Sequence, residues 1–89
     1  MYHIEWRDLA AAELAEGWTN ADSQLRADIT TVVHEIEHRL SVTPDIAGES
    51  REPGTRVLVT HPLTVTFHVN IRTSTVLITG VRVSRRRRK

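Results

Sequence analysis

Residues 34 to 38 read HEIEH, a literal match to H-E-x-x-H. On a helix this spacing puts His34 and His38 on one face, where two imidazoles can ligate zinc while Glu35 acts as general base. The direction of that face decides whether the chemistry is available. With Ile36 set at zero and about 100° per residue, Leu25, Ile29, Val32, Val33, Ile36 and Leu40 form one apolar stripe. His34 and His38 then fall at roughly 160° and roughly 200°, almost opposite the core. Glu35, Glu37 and Arg39 flank them there. A zinc hydrolase also needs a third ligand, an open coordination position and a cleft. A chain of 89 residues has room for one core and no second lobe to supply them. The stretch reads as a solvated helix face able to pick up metal adventitiously, and no metal site or cofactor is expected.

The elements follow from periodicity. YHIEW (2 to 6) alternates Tyr2, Ile4 and Trp6 against His3 and Glu5, as a half-buried strand does. Asp8 suits a helix N-cap, LAAAELAEGW supplies strong helix formers, and Ala11, Leu14, Ala15 and Trp18 make an apolar stripe. Gly17 and TNADS mark its end. The second helix runs from about Ser23 to Leu40 and stops before Pro44. TPDIAGESREPG reads as loop. From Thr55 the period falls to two: TRVLVT, then TVTFHVNI, then TVLITGVRV, the last apolar on both faces and so central in its sheet. A connection through HPL sets Arg56 opposite His68 and Val57 opposite Phe67. A two-residue loop would instead bring Arg56 beside Phe67 on the core side, and is rejected. The expected fold is α+β, β-α-α-β-β-β, with two N-terminal helices on one face of a small, mostly antiparallel sheet. The other face stays open and shows Arg56, Leu58, Thr60, Thr64, Thr66, His68, Asn70 and Arg72. Residues 1–84 make the single domain, and 85–89 a basic, mobile tail.

Charge is divided along the chain. Residues 1 to 52 hold all eleven acids against four arginines, a sum of −7; residues 53 to 89 hold eight basic residues and no acid, a sum of +8. The second half would attract phosphates or an acidic protein segment. There is no cysteine, which excludes disulfide and thiolate chemistry. No apolar run approaches a membrane span, and MYHIEWRDLA lacks the marks of a signal peptide. A cytoplasmic location is expected.

The segment order resembles the RelE/ParE superfamily, the toxin half of type II toxin–antitoxin pairs. The pieces that carry it are the IEW opening (4 to 6), the hairpin with LAEGW, GESREPG leading into TRVLV, then PLTVTFHV, and the closing VLITGVRV. RelE-like members cleave mRNA in the ribosomal A site; ParE-like members block DNA gyrase. The resemblance matches Arg56 to the basic residue that starts the strand after the loop, and Arg82 to the one late in the final strand. Thr64 stands where another arginine is frequent, and the C-terminal tyrosine of some members is missing. The implied partner is a cognate antitoxin, laying an acidic or amphipathic segment over the basic open face.

Cleavage of RNA by its own 2′-hydroxyl needs proton transfer at two oxygens and compensation of charge on the phosphorane. Histidine serves the first at neutral pH, and arginine forks the second. His68 would then be acid or base and Arg56 and Arg82 the charge stabilisers. Arg51, Arg72, Arg85 and Arg86 would bind substrate phosphates. Glu49 and Glu52 offer a general base or merely solvate their loop. His68 is equally a tolerated strand residue beside an arginine, and His61 a turn residue before proline. Trp6 and Trp18 read as core anchors. The tail either binds phosphates without sequence preference or keeps the chain soluble. Ribosome-dependent mRNA cleavage is placed ahead of gyrase binding and of a degenerate interaction module, with the enzyme assignment left open as a candidate endoribonuclease.

Overall fold

A computed structural model describes residues 1–84. The order is β1 (His3–Trp6), α1 (Asp8–Thr19), α2 (Ser23–Val42), β2 (Glu49–Glu52), β3 (Thr55–Thr60), β4 (Leu63–Asn70) and β5 (Thr75–Val83). The strands form one sheet in the order β1-β5-β4-β3-β2, antiparallel throughout except for the parallel β1–β5 pair. The α+β architecture expected from the periodicity is present, with β5 between two neighbours. It gains one strand. ESRE pairs with the start of β3 although the segment reads as loop, because every residue of this edge strand is exposed and none need be apolar.

In α2, the Asp22 carboxylate caps the helix by accepting from the Leu25 N–H at 2.8 Å. Its buried face is Ile29, Val32, Ile36 and Leu40. Leu58, Leu63, Val65, Phe67, Val76, Ile78 and Val81 of the sheet join these in one core. The first helix departs from its expected orientation. Ala10 is buried and Leu14 half-buried, while Ala11, Ala15 and Trp18 stay exposed. Trp18 is therefore not a core anchor; its ring lies under the Arg26 guanidinium, 5.7 Å from the centroid. Asp8 is the first helical residue and no side chain caps α1. Gly17 lies inside the helix and does not end it; a Cβ there would run into the Val83 side chain, so the close approach of α1 to β5 requires glycine. Trp6 is half-buried and its Nε1–H donates to Glu37 Oε2 at 3.0 Å.

The β3–β4 register is the one rejected on sequence grounds. Thr60 pairs with Leu63, so the loop is the two residues His61 and Pro62, and Arg56 lies opposite Phe67 on the core side. The objection to this arrangement was an arginine beside the core. The guanidinium escapes that cost: Nε donates to Ala47 O at 2.7 Å and Nη2 to Gly48 O at 3.1 Å. Gly48 has φ +67, and a Cβ on it would run into the carbonyl of Val57, so only glycine lets this chain segment pass so close to β3.

Candidate functional site on the open sheet face

Alternation along β4 turns Thr64, Thr66, His68 and Asn70 to the open face, as expected. The reversed register changes what faces them. Val59 lies opposite Thr64, Val57 opposite Thr66, and Thr55 opposite His68. On the other side Arg82, Gly80 and Leu77 face Thr64, Thr66 and His68. The expected pairing of Arg56 with His68 is therefore absent, because a one-residue shift in register carries every side chain of β3 to the opposite face. The ring of His68 instead lies against Gly54, where a Cβ would come within 2.5 Å of Cε1.

The remaining candidates are scattered. Arg82 is exposed on the open face and makes no hydrogen bond or ion pair among the described residues. Four residues of β4 separate the rows holding Arg82 and His68, a distance of about 13 Å. No hydrogen bond or ion pair joins the two side chains among the described residues. Arg51 is exposed, with Nη1 3.5 Å from Glu49 Oε1. Arg72 is exposed in the turn after β4, and His61 in the turn before it. Glu49 and Glu52 pair with Val57 and Thr55 and add negative charge beside the open face. Arg85 and Arg86 lie outside the described residues, as do three more of the eight cations counted in residues 53 to 89. With Arg56 turned under the sheet, the expected basic open face is not built from the described strands.

One residue of the face has no counterpart in the sequence reading. A bulge in β5 sets Thr66 opposite Gly80 but Phe67 opposite Ile78, leaving Thr79 as the extra residue. Beyond Ile78 this edge of β5 has no strand neighbour among the described residues, since β1 pairs only as far as that residue. Helix α1 covers it: Glu13 Oε1 accepts from the Val81 N–H at 2.8 Å. Glu13 thereby borders a hollow of about 330 Å³ with Thr64, Thr66, Gly80, Val81 and Arg82. Placing Ala10 inward would have put Glu13 beside it, but the alanines of α1 fit several stripes equally well. The hollow offers a carboxylate, a free guanidinium and two hydroxyls, a set suited to hydrogen-bonded recognition.

His34 and His38 of HEIEH are both exposed on α2, as the helical wheel requires, while Glu37 is held by Trp6. No three or more metal-ligating side chains gather anywhere among the described residues. Among the same residues no helix is long and apolar enough to cross a membrane.

No protein-family model and no curated protein matches the sequence. Solved structures do. A chain of the chromosomal ParDE TA system from P. aeruginosa superposes with a TM-score of 0.74 at 21% identity, covering 94% of this chain and 97% of that one. A chain of the RelBE2 toxin–antitoxin complex from Mycobacterium tuberculosis gives 0.70 at 18% identity, covering 92% and 96%. The isolated E. coli RelE toxin gives 0.64 at 15% identity, covering 98% and 88%. With its two helices and mostly antiparallel five-stranded sheet, the chain has the fold of the RelE/ParE toxins.

Proposed function

We propose that the protein is the toxin of a toxin–antitoxin pair and that it acts in the cytoplasm by binding its target, without cutting RNA. DNA gyrase, the target of ParE-like toxins, is the preferred candidate. The observation that carries this reading is the position of Arg56. Its guanidinium holds Ala47 O and Gly48 O on the core side, so it does not stand beside His68 as a cleavage site would need. What remains on the face, Arg82, Glu13, Thr64 and Thr66, offers directional hydrogen bonds for a protein surface. The fold similarity to chains from ParDE and RelBE complexes supports an antitoxin partner.

Induction in growing cells tests the reading: replication should stop before translation, with DNA damage as the accompanying sign. The purified chain should inhibit supercoiling by DNA gyrase and leave mRNA intact on programmed ribosomes. Codon-positioned cuts in that mRNA would return the protein to the cleaving class.

A further inference from the structure

Unpaired sheet edges invite pairing, and folded chains shorten, charge, bulge or cover them. Three stretches of this sheet's edge are managed so. The outermost strand on one side, β2, has four residues, includes Glu49, Arg51 and Glu52, and is irregular between Ser50 and Glu52. On the other side β1 is equally short and turns His3 and Glu5 outward. The part of β5 that outruns β1 is covered by α1, with Glu13 taking the Val81 N–H.

The fourth stretch is covered only at its start, where Gly48 lies against the Val57 carbonyl and the Leu58 backbone. β2 pairs with β3 only as far as Val57, so among the described residues no strand lies beyond Leu58, Val59 and Thr60 on that side. These three carry no charge, proline or bulge, and Val59 is 68% exposed. A groove of about 540 Å³ runs beside them, with Ile46, Val57, Leu58 and Val59 as its apolar lining and Arg39 and Arg51 at its rim. Ile46, from a different part of the chain, is also 68% exposed. Glu49 is the one acid there, and Arg51 already stands 3.5 Å from it.

We infer that this edge is where the antitoxin docks, as an extended segment added to the sheet along Leu58–Thr60. Its apolar side chains seat on Ile46 and Val59, and its carboxylates face Arg39 and Arg51. The inference rests on the toxin reading and names the partner's chemistry: backbone pairing supplies affinity, while the apolar slot and the two arginines select sequence. A second copy of this chain fits less well, because pairing through the same edge would bring the arginines of both grooves together.

The test uses the full chain and, as probe, the product of the short reading frame adjoining its gene. Ile46→Glu and Arg39→Glu should stay folded by circular dichroism and inhibit growth like the parent when produced alone. Each should bind the probe at least tenfold more weakly, and growth rescue should fail accordingly. In the parent complex the Val59 amide, whose N–H faces the open edge, should gain protection from hydrogen exchange, while the Thr60 amide, already turned toward Leu63 of β4, should change little. Unchanged affinity in both variants, or no gain in protection, overturns the proposal. So does a concentration-dependent dimer of the free chain that Val59→Lys abolishes, since the edge then belongs to a second copy. If the parent chain neither slows growth nor binds the probe, the toxin reading itself fails and takes the docking site with it.

Discussion

Arg56 separates two accounts of this protein, and replacing it distinguishes them. In the structure its guanidinium makes two charge-assisted hydrogen bonds, to Ala47 O at 2.7 Å and Gly48 O at 3.1 Å. Hydrogen bonds of this kind contribute about 1.5–3 kcal/mol each, and a half-buried group belongs near the lower end. Arg56→Met keeps the aliphatic stem beside the core but removes both bonds, for a loss of about 3 kcal/mol. In a domain of this size each kcal/mol lowers Tm by about 4–8 °C, so the midpoint should fall by roughly 12 °C or more. Arg56→Lys keeps one donor and should recover about half of the loss. Urea unfolding with a fitted m-value measures the change directly. A folding role predicts that growth inhibition declines in step with stability across the two variants. An Arg56→Met variant as stable as the parent would refute the folding role, and doubly so if that stable variant no longer inhibits growth.

Other variants probe the remaining contacts. Glu13→Ala should cost about 1–2 kcal/mol by leaving the Val81 N–H without a partner, whereas Glu13→Gln keeps an acceptor and should lose little; thermal unfolding compares them. Gly48→Ala should destabilise by at least about 3 kcal/mol, since its positive φ disfavours a side chain and the Val57 carbonyl fills the space, and a soluble variant with the parent's urea midpoint would contradict this. The double change His34→Ala, His38→Ala should alter stability by no more than about 0.5 kcal/mol and leave growth inhibition intact, as surface positions do.

The sequence by itself determined the elements whose signal is periodic. The apolar stripe of α2 fixes its core face, and hence turns both histidines of HEIEH to solvent. The alternation along β4 puts Thr64, Thr66 and His68 on the open face, and the doubly apolar β5 lies inside the sheet. Elements with weak or ambiguous patterns were not legible. Alanine-rich α1 allows several stripes, and β2, wholly exposed, needs no hydrophobic pattern at all.

Tertiary structure alone decided the face of β3. Matching Val57 to Phe67 looks better strand against strand, since it spares an arginine from the core side. The alternative wins because carbonyls of Ala47 and Gly48, nine and eight residues away, satisfy that arginine. Pairwise strand matching cannot weigh a partner supplied by a loop. Once that bond is made, Val57 and Val59 turn to the open face and the imagined Arg56–His68 site dissolves. Glu13 joins Arg82 only because a helix closes the edge of β5 where β1 ends.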